Sequence, residues 1–363
     1  MRNMVRRVTL VMLAVFLVCL AVVVCTPTGG AEAAPKYRWS LAHPWSRPLA
    51  EKGYQFFIDK VKEYTNGDIE ITLYPNGLLG THDESFHGVR DGTIEIAVMS
   101  PYVNLVPGGM MNWIPWTVST FDEARIAYSY PDGILFKVMQ AAWREVNAEL
   151  LFNSSQGAYG LGNNVRPLRH PDDLRNLKMR VSASLASVRT LGNMGSGTGM
   201  SMETIPWADV YNALARGVVD GCWSTWPALV DERHAEVLRH YTHGLLNWEA
   251  VNIVMNKELW DSLDPKYQEA IYKAGIDAEQ LLCDLYEEVE QAHIKKLETE
   301  YPSLTITWLT PEEQAVWREK ANMPEIWAEL ADPWLETIWP GEDMGAKIRA
   351  ELDAVREQVL AGQ

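Results

Sequence analysis

The residues able to do chemistry are sparse in this chain and their spacings are informative. His82, Asp83, Glu84 and His87 put four possible metal ligands within six residues. The same run follows Thr81, and carboxylates just after a hydroxyl residue are what a helix N-terminus requires. Thr81 or Asp83 caps the first amides and the acids complement the dipole, so the cluster reads as a helix start and no metal is assigned. Gly195-Ser196-Gly197-Thr198-Gly199 is the nearest approach to a phosphate loop, but it has neither the spacing nor the lysine and reads as a flexible loop. GxSxG, HExxH, GxxxxGK[ST] and GxGxxG are missing, so no catalytic residue and no cofactor is assigned. An enzyme of similar fold is the competing class, because a triad assembled only in space leaves no local motif.

Composition sets the setting for whatever chemistry remains. Arg2, Arg6 and Arg7 precede an apolar run from Val8 to Val24, and Ala31-Glu32-Ala33 supplies small residues for cleavage, so residues 1–33 read as a secretory signal and the product as periplasmic. Lipid attachment at Cys25 or an uncleaved anchor is the other reading. Loss of three Arg and one Glu takes the formal charge from -16 to -18, which repels nucleic acid. Cys222 and Cys283 are then the cysteines left, either bridged or two buried thiols.

About 330 residues exceed one ordinary core, so two lobes are expected. Short β-branched runs alternate with segments of helical period, the pattern of an α/β fold with a largely parallel sheet. Strands are expected at 37–43, 68–74, 94–100, 150–154, 177–181, 218–222, 251–256 and 304–309. Leu49, Tyr54, Phe57, Val61 and Tyr64 mark one face of a helix that Asn66-Gly67 ends. A long helix from Pro265 to Leu297 is expected to run across both lobes. Beyond it two or three helices follow, broken at Pro333 and Pro340-Gly341. The expected division is lobe I from 34–156 and 250–288, and lobe II from 157–249 and 289–363.

Four segments in order carry a family resemblance: Val61 to Ile71, followed by Pro75-Asn76-Gly77-Leu78-Leu79-Gly80 and Glu84; Val89 to Ala97; His170 to Val181, with Pro171-Asp172-Asp173-Leu174 and Lys178-Met179-Arg180; and Trp207 to Gly221, with Val210-Tyr211-Asn212-Ala213-Leu214. Together they resemble the DctP-type solute-binding proteins of tripartite ATP-independent periplasmic (TRAP) transporters, from about Tyr37 to Leu263. The resemblance implies a two-lobe periplasmic-binding-protein-like clamp that hands a small carboxylate to membrane subunits. It implies that Arg180 binds the ligand carboxylate, in keeping with the fit of a planar guanidinium to that group. By position it adds Glu84, Trp207 and Ser224. Many members carry a second Arg where this chain has Tyr159-Gly160, so a second strongly held carboxylate is not expected, and Tyr159 is placed at the site instead.

Fifteen Trp is a high count, and Trp45, Trp113, Trp116, Trp207, Trp223, Trp226 and Trp248 fall near predicted strand ends or family contact regions. Flat side chains of low entropy suit stacking. The expected ligand is therefore an organic monocarboxylate with an indole- or phenyl-type group, and Trp45, Trp116 and Trp223 join the site. A C4-dicarboxylate, an aliphatic keto or hydroxy acid, or a sensor role are the alternatives.

Overall fold

In the computed structural model, residues 34–102, 104–244 and 246–362 are described, and the signal segment expected over 1–33 lies outside them. Tyr37–Gln363 form one unit. It opens as the periodicity predicts. Strand β1 (Tyr37–Ala42) leads into a helix, Pro48–Tyr64, and then into β2 (Ile69–Tyr74), parallel to β1. Pro48 starts the helix where a missing amide costs nothing, and Tyr54, Phe57 and Val61 are buried on its inner face. Asn66 (φ 50°) and Gly67 (φ 80°) turn the chain through left-handed conformations toward β2.

Strands β3 (Ile96–Met99), β4 (Ala148–Ala158) and β10 (Trp248–Asn256) complete a first sheet in the order β2-β1-β3-β10-β4. The second sheet holds β5 (Gly160–Asn163), β6 (Lys178–Val181), β7 (Ser201–Thr204), β8 (Gly221–Ser224), β9 (His240–Thr242) and β11 (Thr305–Thr307), ordered β11-β9-β5-β8-β6-β7. Both sheets are mixed where a largely parallel sheet is expected. β10 runs antiparallel to β3 and β4, and β5 antiparallel to β8 and β9. These are the strands on which the chain passes between sheets, and only Tyr159 separates β4 from β5.

The long helix is Pro265–Glu300, 36 residues and therefore about 54 Å. Its first half packs in the first core: a Cβ on Gly53 would come within 2.3 Å of Leu282, so glycine is what lets it approach the helix Pro48–Tyr64. Its last turns reach the second core, where Leu297 packs with Val210, Trp226, Leu229 and Tyr241. The tail forms helices Pro311–Ala321, Asp332–Ile338 and Met344–Gly362. Pro340-Gly341 breaks it as expected, but Pro333 does not. Pro333 lies within a continuous helical run, and the turn before it, Trp327–Ala331, is a π-helix, an irregularity of the ladder at the point where the proline lacks its amide.

Candidate functional site

Ligands of α/β sheets sit beyond the carboxyl ends of parallel strands. Here those ends converge: Trp45 and Arg47 follow β1, Ser100 and Tyr102 follow β3, Arg180 and Ser182 end β6, and Trp223 lies at the end of β8. All seven line one cavity, joined by Trp113, Tyr159, Trp207 and Glu249. The walls leave about 20 Å³ between them, room for roughly one water. Anything larger than a water needs these walls to move apart.

Arg180 lies on β6 between β8 and β7, opposite Cys222 and Glu203. Its neighbours Met179 and Val181 are core residues, and strand alternation turns Arg180 to the other face. It is 4% exposed. Its Nε donates to the Ile205 carbonyl at 2.9 Å, and its guanidinium lies 5.4 Å from the Trp207 ring centre. Among the described residues no carboxylate lies within 4 Å of it. Burial accordingly pulls its pKa below the ordinary value. A buried cation lacking a counter-ion is costly, and an anion in the cavity removes that cost.

Arg47 is the second cation. It reaches the Gln156 side chain and lies 3.7 Å from Glu232 and 5.6 Å from the Trp45 ring. Against the cost of burial, Glu232 and Glu249 hold it firmly charged. Glu249 enters because a bulge separates the pairs Glu249–Gly157 and Ala250–Ser155, leaving Gln156 as the extra residue. Glu249 is 4% exposed and its Oε2 has no hydrogen-bond partner. Burial pushes its carboxyl above the ordinary range, opposed by Arg47 and a hydrogen bond from Tyr159.

Aromatic faces make up the rest of the wall. Trp45 and His82 are 5.6 Å apart, His82 and Tyr102 4.8 Å, Tyr102 and Trp113 5.6 Å and nearly parallel, and Tyr159 lies 6.3 Å from both Trp113 and Trp223. Trp207 donates from Nε1 to Glu232 Oε2 at 2.5 Å.

Of the residues expected at the site, Arg180, Trp207, Trp223, Tyr159 and Trp45 come together in the cavity. Glu84 lies elsewhere: with Thr81 it forms the capping box of the helix His82–Asp91. His82 bonds Asp83 and the Ser100 carbonyl. Ser224 is buried against His234 Nδ1 at 3.3 Å, and Trp116 packs under Arg318. Among the remaining tryptophans, Trp226 belongs to the second core and Trp248 to the first. Cys222 and Cys283 are both free and buried. Arg47, Glu249, Ser100, Tyr102 and Ser182 escape motif reading. The convergence of strand ends is the signal that marks all but Glu249.

Two mixed sheets closing over an anion-seeking, aromatic-lined cleft, braced by one long helix, define a solute-binding clamp. Residues 42–332 match the bacterial extracellular solute-binding protein family 7, the DctP family, and the chain belongs to it. A solute-binding protein of Chromohalobacter salexigens is 29% identical over 271 residues, 74% of this chain and 77% of that one. The C4-dicarboxylate-binding periplasmic protein DctP of Rhodobacter capsulatus is 26% identical over 286 residues, 74% and 79% of the two chains. The crystal structure of a TRAP periplasmic solute-binding protein from Ochrobactrum anthropi, its C-terminus bound in the ligand pocket, superposes with TM-score 0.77 at 22% identity, covering 89% of this chain and 97% of that one.

Proposed function

We propose that this chain is the periplasmic receptor of a TRAP transporter, a non-enzymatic carrier that binds an organic monocarboxylate and presents it to membrane subunits for secondary-active uptake. The observation that carries the reading is Arg180, a buried guanidinium lacking an acidic partner and facing an aromatic-walled cleft. A carboxylate held bidentately there gains charge-assisted hydrogen bonds in a dry site. Arg47 does not offer a matching second anion site, because Glu232 and Glu249 already balance it. That favours a monocarboxylate over the C4-dicarboxylate named for the Rhodobacter capsulatus relative.

Two bodies for the acid fit the walls. The tight closure and the polar atoms of Ser100, Ser182 and Glu249 favour a short keto or hydroxy acid. The ring faces of Trp45, Trp113, Trp207 and Trp223 favour an indole- or phenyl-type acid. Tryptophan-fluorescence titration with pyruvate, lactate, phenylpyruvate, indole-3-acetate and succinate separates them. Saturable quenching by monocarboxylates, lost by 100-fold or more in Arg180→Ala, is the expected result. Binding of succinate alone, or undiminished binding by the variant, overturns the reading.

A further inference from the structure

A second cavity, of about 250 Å³, opens between the helix Phe121–Ala127, the segment carrying Tyr130, strand β4 and the first half of the long helix. It shares no lining residue with the cleft. Ser155 lines it, whereas Gln156, the next residue of β4, reaches Arg47 on the cleft wall, so β4 stands between the two. Ala124, Tyr130 and Ile276 give the cavity apolar surface, and Ile276, 41% exposed, marks its mouth. Tyr130 is fixed by its stack on Tyr272, with ring centres 4.0 Å apart.

Two charged side chains line this cavity, and only one is balanced. Arg125 donates to Asp122, Asp284 and Glu287 at 2.9, 2.8 and 2.5 Å, so three carboxylates already answer one cation. Glu279 accepts from the Asn153 amide at 3.1 Å through Oε2. Among the described residues Oε1 has no donor, and no Lys, Arg or His lies within 4 Å of the carboxylate. Burial accordingly raises its carboxyl to about 8. A carboxylate withdrawn from water without a counter-ion is costly, and the surplus of acids around Arg125 repels an entering anion. A metal ion is a poor occupant, because among the described residues no three His, Cys, Asp or Glu side chains are grouped to hold one.

We infer that this cavity binds a small organic ammonium ion, with its charged head on Glu279 and its hydrocarbon part against Tyr130 and Ile276. The inference is independent of the carboxylate reading at Arg180. An ammonium group brings Oε1 the charge-assisted donor that the fold does not supply, and the face of a tyrosine ring also attracts a cation.

Calorimetry at a pH above about 8, where the Glu279 carboxyl is ionised and alkylamines keep their proton, tests it with n-butylamine and phenethylamine against n-butanol and phenethyl alcohol. Saturable binding is expected, with each amine about 10- to 100-fold tighter than the alcohol of its skeleton. Glu279→Gln, of the same shape without the charge, is expected to weaken the amines about 10-fold and leave the alcohols unchanged. Removing a buried charge that lacks a partner stabilises the fold, so weaker binding by this variant is not a folding defect. A folded Arg180→Ala chain should bind the amines as the native chain does, which separates this site from the cleft. Absence of saturable amine binding, equal affinity for amine and alcohol, amine binding left intact by Glu279→Gln, or amine binding lost in folded Arg180→Ala overturns the inference.

Discussion

The Arg47 guanidinium stands 3.7 Å from the Glu232 carboxylate, joining the segment after β1 of the first sheet to the segment after β8 of the second. Glu232 also accepts the Trp207 indole hydrogen, and Trp207 covers Arg180. The contact that closes the cleft and the contact that shapes the anion site therefore share one carboxylate.

Glu232→Gln keeps an acceptor for Trp207 and weakens the ion pair. A partly exposed pair of this kind is worth up to about 1 kcal/mol, so ligand dissociation is expected to quicken about threefold to fivefold while association changes little. Stopped-flow fluorescence measures both rates. An unchanged off-rate removes Glu232 from closure.

Stability is expected to fall as pH rises from mildly acid to mildly basic. Burial raises the carboxyls of Glu279 and Glu290, on the long helix, to about 8 and about 7 from an ordinary 4.5. Between the ordinary value and the raised one the folded chain keeps a proton that the unfolded chain releases. Stability present below pH about 4.5 is thus lost progressively up to pH about 8. Glu279→Gln should flatten this slope and raise Tm at pH 8, as a thermal melt across pH 5 to 9 reads directly.

Neither thiol should react in the native state. Burial pushes Cys222 and Cys283 up to about 12, and thiolate is the reactive form. In protein prepared without residues 1–33, a colorimetric thiol reagent at pH 8 is expected to find no thiol in the folded state and both after denaturation. Rapid native labelling of either would contradict the packing.

The elements legible in the sequence are those whose periodicity is long. The helix Pro48–Tyr64 and the long helix declare their buried faces over several turns, and Asn66-Gly67 marks where the first ends. β5 was hidden because Gly160-Leu161-Gly162-Asn163 has almost no strand composition, and β9 because three residues carry no period. Arg180 was legible through its motif. Glu249 was not, since the bulge at Gln156 breaks the alternation that assigns a strand residue to one face. Glu84 illustrates the converse: its position fits a motif, but a capping carboxylate is already committed to its own helix.

The pairing of the second sheet carries a consequence for how the chain acquires its shape. β11, at Thr305–Thr307, pairs with β9, and the entire long helix lies between them in the chain. The first sheet likewise needs β10 to insert between β3 and β4. A polypeptide made from its N-terminus cannot finish the first sheet before residue 256 or the second before residue 307 is available. Contacts this remote in sequence fold slowly. The protein must therefore spend its first moments with unpaired strand edges, and a truncation ahead of Thr305 would leave β9 as an open edge.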